Sequence, residues 1–238
     1  ALPFGRGVLY RLFKRTEKAR VHDDARHVSF SKLLSGRSAT QRRPAPRPDD
    51  VALLQYTGGT TGVPKGAMLT HANLAGNVRQ LSPLMQGGGL RDGQERALAV
   101  IPLFHVFAMT VAMNLALDMG AQIVLVPQFK IEELLATIAR TKPTFFPAVP
   151  TIFAAINKAA ETADVDLRSI RLCISGGAPL PAEVGARFEA LTGCRLSEGY
   201  GLTESSPVVS VNPFDARRRA GSVGLPLVDT TIEIRDPN

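Results

Sequence analysis

Three threonine hydroxyls, four glycines and one lysine fall within the eleven residues Tyr56-Thr57-Gly58-Gly59-Thr60-Thr61-Gly62-Val63-Pro64-Lys65-Gly66. Glycines 58, 59, 62 and 66 let backbone amides approach an anion with no Cβ in the way. Thr57, Thr60 and Thr61 add hydroxyl donors, Lys65 adds a full positive charge, and Pro64 narrows the conformations open to the chain just before that lysine. The chemistry such a set suits is the binding and neutralising of phosphate. It is not the Gly-x4-Gly-Lys-Ser/Thr loop of many nucleotide triphosphatases, because Pro64 precedes Lys65 and Gly66 follows it. A ligand-free Gly/Thr connector is the plainer reading, but connectors seldom gather these residue types so tightly.

A second constellation is Glu198-Gly199-Tyr200-Gly201-Leu202-Thr203-Glu204. Tyr200, between two glycines, can offer a ring face to a base. Thr203 and Glu204 bring a hydroxyl and a carboxylate, hard oxygen groups suited to a phosphate and its Mg²⁺. The plainer reading makes Glu204 a solvated loop carboxylate. Two weaker signals accompany these. Ser175-Gly176-Gly177-Ala178-Pro179-Leu180 is a glycine turn that would admit a flat ligand, although turns of this kind are common. Pro102-Leu103-Phe104-His105-Val106-Phe107-Ala108-Met109 places one histidine where a helix would start, and taken alone that His105 reads as a satisfied helix-start residue.

The elements that must hold these groups follow from apolar runs and their punctuation. Val51–Tyr56 reads as a buried strand ahead of the first loop, and a helical pattern starts near His71. Strands are expected at Ala97–Ile101, Ala121–Val126, Thr144–Ala148 and Arg171–Ser175. Helices are expected at His105–Met119, Ile131–Arg140, Thr151–Ala160 and Pro181–Leu191. Repeated βα units of this length predict an α/β fold with a doubly wound, largely parallel sheet. Ligands in such sheets bind beyond the carboxyl ends of the strands, where the motifs fall. A last strand is expected at Thr230–Arg235, so the C-terminal end should be β-rich.

With 238 residues the chain can bury a substantial core. The excess of 28 basic over 21 acidic residues, a net charge of +7, suits anionic ligands or an anionic surface. No nucleic-acid-reading motif accompanies that charge, so a nucleic-acid partner is not expected. The two cysteines, Cys173 and Cys194, show no metal-ligand spacing and fit a reduced, cytoplasmic setting. The longest apolar stretches, around 98–117, are interrupted by Pro102, His105 and Asn114, so no membrane span is expected. The chain starts without Met and shows no signal peptide. Residues 1–20 mix apolar side chains with Arg and Lys. They read either as a surface helix packed on its own domain, the favoured reading, or as a basic amphipathic helix making peripheral contact with the inner face of a membrane. The Pro/Arg run 42–48 reads as a stiff linker, which divides the chain into a leader and linker over residues 1–50 and a folded body over 51–238.

The loop at 56–66 resembles the signature loop of the adenylate-forming superfamily, which includes acyl-CoA synthetases, peptide-synthetase adenylation domains and luciferases. Its Thr-Gly-Gly form, followed by Ala67-Met68-Leu69-Thr70-His71-Ala72-Asn73-Leu74, is most similar to long-chain fatty-acid–CoA ligases. Val208-Val209-Ser210-Val211-Asn212-Pro213 and Gly221-Ser222-Val223-Gly224-Leu225-Pro226 continue the likeness, which runs from about Val51 to the last residue. The resemblance implies ATP, Mg²⁺, a fatty acid and coenzyme A as ligands. It implies that Glu204 and Thr57 hold the Mg²⁺, that Thr203 touches the α-phosphate, and that Lys65 and the loop Thr57–Gly62 serve the triphosphate. Gly176, Gly177, Ala178 and Pro179 would border the adenine, and Glu198, Gly199, Tyr200 and Gly201 the adenosine. His105, Val106, Met109 and Val208 would border the acyl pocket. Some long-chain ligases carry a gating tryptophan where this chain has Met109, and the chain has no tryptophan.

The implied reaction begins with attack of a fatty carboxylate on the α-phosphorus of ATP, and ends with the coenzyme A thiol displacing AMP. Lys65, Thr203 and Glu204 are the expected catalytic residues. Family members carry more chain on both sides, including a downstream Thr-Gly-Asp segment and a small domain with a lysine. The chain therefore reads as the central part of such an adenylation domain, inactive alone. An adenylating enzyme for another carboxylic acid and a non-catalytic nucleotide-binding module are the alternatives.

Overall fold

The computed structural model describes residues 44–57 and 64–236. Gly58, Gly59, Thr60, Thr61 and Gly62 lie outside the described residues, as do the basic segment 1–20 and the end of the expected turn, Pro237 and Asn238.

Short β-branched and aromatic runs form a seven-stranded sheet in the order β4-β3-β5-β6-β7-β8-β9. Its members are β3 (Arg96–Ala99), β4 (Gln122–Leu125), β5 (Phe145–Ala148), β6 (Leu172–Ser175), β7 (Arg195–Gly201), β8 (Val208–Val211) and β9 (Leu225–Pro226). The strands from β4 across to β7 pair in parallel, and β7–β8 and β8–β9 pair antiparallel. This is the expected α/β architecture with a β-rich end.

Alternation along each strand divides the core into two layers. Leu98, Phe146, Cys173 and Leu196 face the layer formed by α3 (Ile131–Thr141), α4 (Pro150–Ala159) and α5 (Ala182–Thr192). Phe146, Phe153 and Phe188 meet there with ring centroids 4.8 to 6.4 Å apart. Ala97, Phe145, Leu172 and Ile174 face the other layer, formed by α1 (His71–Gly87) and by a π-helical segment (Ala108–Asn114) that runs into α2 (Leu115–Asp118). Cys173 and Cys194 are buried and free, and burial pushes the Cys173 thiol up. No described helix is long and apolar enough to cross a membrane.

Helix α1 starts in a capping box. The Asn73 N–H donates to Thr70 Oγ1 at 3.2 Å, and the Thr70 N–H donates to Asn73 Oδ1 at 2.9 Å. At its far end Arg171 and Arg195 donate to the carbonyls of Gly89 and Gly88, which places positive charge at the negative end of the helix dipole.

Three expectations are corrected. Val51–Tyr56 is not a buried strand: β1 (Val51–Thr57) pairs only with β2 (Lys65–Thr70), in an antiparallel hairpin. No described element covers its outer face, and Leu54, Tyr56 and Met68 stay exposed. Thr230–Arg235 forms no strand: no described strand pairs with it, the Thr230 N–H turns back to the Leu227 carbonyl at 3.0 Å, and Ile234 is 98% exposed. The helix expected over His105–Met119 begins one residue later and carries the π-helical segment, a feature that apolar periodicity does not report.

At the amino ends of the parallel strands, the buried Glu95 carboxylate ties three segments together. Arg171 Nη2 lies 2.6 Å from both of its oxygens, the Arg91 N–H donates at 2.8 Å, and the Thr144 hydroxyl donates as well. Burial pushes this carboxyl up, but the bonds from Thr144, Arg171 and Arg91 outweigh it and hold the group below its ordinary 4.5. A carboxylate lowered on folding stabilises the fold above its unfolded value and stops doing so as pH falls through the folded one. Glu95→Gln should therefore cost about 1.5–3 kcal/mol at pH 7. In urea titrations at several pH values, the gap to wild type should close below about pH 4.5. A gap that is independent of pH would show that the charge at Glu95 contributes nothing.

Candidate active site

The carboxyl ends of the parallel strands surround a cavity of about 500 Å³. Its opening follows from strand pairing. The parallel ladder between β6 and β7 ends at the pair Ser175↔Glu198. Beyond it β6 turns away through Gly176 and Gly177, the latter at φ +81°, a conformation that favours glycine. β7 instead continues through Gly199, Tyr200 and Gly201, now paired antiparallel with β8. The gap left between the two chains is the cavity.

Gly176 and Gly177 line one side, and Gly199, Tyr200, Gly201, Leu202, Thr203 and Glu204 line another. Pro207 and Val208 close the wall behind them. Gly201 is required by close approach: a Cβ there would stand 2.1 Å from the Pro207 carbonyl oxygen. Thr203 and Glu204 sit in a one-turn 3₁₀ helix (Thr203–Ser205), and the Ser205 hydroxyl and the Leu202 backbone bond to each other across it. The Glu204 carboxylate is exposed and makes no hydrogen bond or ion pair among the described residues.

The segment after β3 supplies His105, Val106 and Phe107. His105 Nδ1 accepts the Phe107 N–H at 3.2 Å, so the neutral ring carries its proton on Nε2. Histidine at this position is thus both a helix-start residue and part of the cavity lining. From the hairpin comes Thr57, whose hydroxyl donates to the Lys65 carbonyl at 3.4 Å. Strand β2, which begins at Lys65, packs beside the Thr203–Ser205 turn.

Of the residues expected at the site, Thr57, His105, Val106, Gly176, Gly177, Gly199, Tyr200, Gly201, Thr203, Glu204 and Val208 therefore share one cavity. Lys65, Met109, Ala178, Pro179 and Glu198 do not line it. Lys65 is exposed at the loop end of the hairpin, paired with Thr57, and Met109 is half-buried in the π-helical segment. Glu198 is buried and accepts the Leu180 N–H at 3.0 Å, so it fastens the 175–180 turn to β7. Phe107, Ile174, Leu202 and Pro207 line the cavity without having been assigned to the site from the sequence, where each reads as an ordinary apolar residue within or beside a motif.

The model of a family described as AMP-binding enzyme matches residues 9–238. The chain belongs to the AMP-binding enzyme family. Among relatives, a long-chain-fatty-acid–CoA ligase of Bacillus subtilis is 40% identical over 240 residues, covering 98% of this chain and 42% of its own length. A 4-coumarate–CoA ligase of Arabidopsis thaliana is 39% identical over 201 residues, covering 80% of this chain and 35% of its own. The crystal structure of ATP-bound MatB from Rhodopseudomonas palustris superposes with a TM-score of 0.66 at 32% identity, covering 76% of this chain and 35% of that one. The chain thus spans about two fifths of the length of the relatives it matches.

The close approach at residue 201 gives a direct test. Gly201→Ala forces the 200–207 wall apart, at a cost of roughly 1–3 kcal/mol typical of overpacking. Equilibrium unfolding should register that loss, and titration with nucleotide should show weakened binding. Unchanged stability and affinity would mean that the wall is not packed as described.

Proposed function

We propose that this chain is the central part of the adenylation domain of a long-chain fatty-acid–CoA ligase that uses ATP and Mg²⁺. The observation that carries the reading is the single cavity into which Thr57, His105, Tyr200, Thr203 and Glu204 converge from separate stretches of sequence. In this reading residues 1–50 are a leader and linker, and 51–238 belong to an adenylation domain. The location is cytoplasmic, with residues 1–20 resting on the inner face of a membrane as the less favoured of two readings.

The first half-reaction is an in-line displacement at the α-phosphorus, in which catalysis is positioning and charge neutralisation and needs no side-chain nucleophile. Tyr200 and the Gly176–Pro179 turn hold the adenosine side. Thr203 donates to the α-phosphate. Lys65, with the glycine and threonine amides of residues 57–62, neutralises the β- and γ-phosphates. Glu204, with an unengaged carboxylate on the cavity, and Thr57 are the hard oxygen donors that fit Mg²⁺. Among the described residues no three His, Cys, Asp or Glu side chains converge. When bound, the ion neutralises charge on the triphosphate. His105, Val106 and Val208 would border the acyl chain, and coenzyme A would displace AMP in the second half-reaction.

In the full-length enzyme, Glu204→Ala should slow adenylation by roughly 10²–10³-fold, as loss of one preorganised electrostatic group does. Nucleotide affinity should fall much less. Lys65→Ala should slow the same step yet leave thioester formation from preformed acyl-adenylate nearly intact, because pyrophosphate has already left. Pyrophosphate exchange and acyl-AMP plus coenzyme A assays separate the two half-reactions. Variants equally impaired in both would refute these phosphate roles.

The acyl side is tested separately. Val208 is apolar and, among the described residues, no Lys, Arg or Asp and no Glu other than Glu204 lines the cavity, so long or medium acyl chains should be preferred over acetate. A panel of carboxylic acids compared by kcat/KM, including an aromatic acid, decides it. Equal or better use of acetate or of the aromatic acid would sink the long-chain assignment while leaving adenylation standing.

A further inference from the structure

Helix α1 carries a polar residue in its apolar stripe: Asn77 lies beside Val78, Leu81 and Met85 and is 4% exposed. Its carboxamide meets the backbone of Val208, 131 residues away. Asn77 Nδ2 donates to the Val208 carbonyl at 2.8 Å, and the Val208 N–H donates to Asn77 Oδ1 at 3.0 Å. An extended residue presents its N–H and C=O on one edge, and a carboxamide matches both groups as a neighbouring strand would. β9 reaches only Ser210 and Val211, so Asn77 replaces a strand for the first residue of β8. Asn77 Nδ2 also donates to Gln80 Oε1 at 3.1 Å, and Gln80 Nε2 donates to the Val228 carbonyl, which fixes the carboxamide's orientation.

Val208 is in turn the antiparallel partner of Gly201, and the Leu202 N–H donates to the Pro207 carbonyl at 3.0 Å. The position of β8 therefore decides where Tyr200, Thr203 and Glu204 stand. We propose that Asn77 is a positioning residue for the adenylation step: it clamps Val208 and thereby sets the wall that carries Tyr200, Thr203 and Glu204. This rests on the proposed role of that wall in activating a carboxylate with ATP. Asn77 itself does not line the cavity.

The test compares Asn77→Asp with Asn157→Asp in the intact protein. In Asn77→Asp the introduced carboxylate keeps the acceptor for the Val208 N–H, loses the donor to its carbonyl, and sets a negative charge against that oxygen. Asn157 is also a buried asparagine bonded to a backbone carbonyl, Val184 at 2.9 Å, but it sits in α4 on the opposite face of the sheet. Both variants should lower the melting temperature. Asn77→Asp alone should reduce kcat for Mg²⁺-ATP-dependent pyrophosphate exchange, by about 10²-fold if the wall moves on the order of 1 Å. Asn157→Asp should leave kcat unchanged once the rate is referred to folded protein. If Asn77→Asp does not fold, Asn77→Ala, which opens room for water at both Val208 groups, is measured in its place and read the same way. Equal kcat for the two variants would reduce Asn77 to a structural residue and overturn the inference alone. Absence of exchange in the wild-type protein would overturn the functional reading, and the inference with it.

Discussion

Strand β7 is held on two edges by neighbours running in opposite directions, and the cavity depends on that arrangement. Through Glu198 it is an ordinary member of a parallel sheet, fixed by β6 and by Leu196 in the core layer of α3, α4 and α5. From Gly199 onward β6 is gone, and β8 alone sets the path. A parallel sheet leaves its strand ends unsupported, so binding residues there are usually held by loops. Here the antiparallel return of β8 extends the ladder past the sheet's edge, and the groups at 199–204 gain a rigid support.

The same logic explains why so many small or conformationally special residues collect at this end. Gly177 lets β6 turn away, and Gly201 lets the backbone at Pro207 come within contact. The Glu198 carboxylate then ties the departing turn back to the strand it left. At the opposite end of the sheet the stabilising interactions are of another kind. There Glu95, Arg171 and Thr144 form a charge-assisted knot, and Arg171 and Arg195 close the end of α1. Groups such as the Glu204 carboxylate, with no partner among the described residues, lie at one end, and mutually satisfied charges lie at the other.

Most of this architecture was legible in the sequence because it rests on local signals. Apolar runs of four or five residues between helical patterns located β3 to β6 within a residue or two, and the motifs fell at the strand ends. Val51–Thr57 misled because an apolar run reports that a strand can form, not what covers it. Thr230–Arg235 misled for the related reason that a strand exists only with a partner. Met109 and Glu198 sit within stretches that do reach the cavity, yet their side chains are directed elsewhere, by the π-helical segment in one case and by the Leu180 amide in the other. Asn77 left a faint trace, a lone carboxamide in an apolar helix face. Its partner, 131 residues later, is a backbone group that no side-chain pattern announces.

The chain has three tyrosines and no tryptophan. Tyr200 forms part of the cavity wall, and Tyr56 stacks over Gly66 in the hairpin immediately before Thr57. Two of the three tyrosines of this sequence thus stand at or beside the cavity, and no brighter indole outshines them. Intrinsic tyrosine emission is consequently a label-free optical signal for that region: quenching or energy transfer upon addition of a nucleotide would be read against a single other emitter, Tyr10.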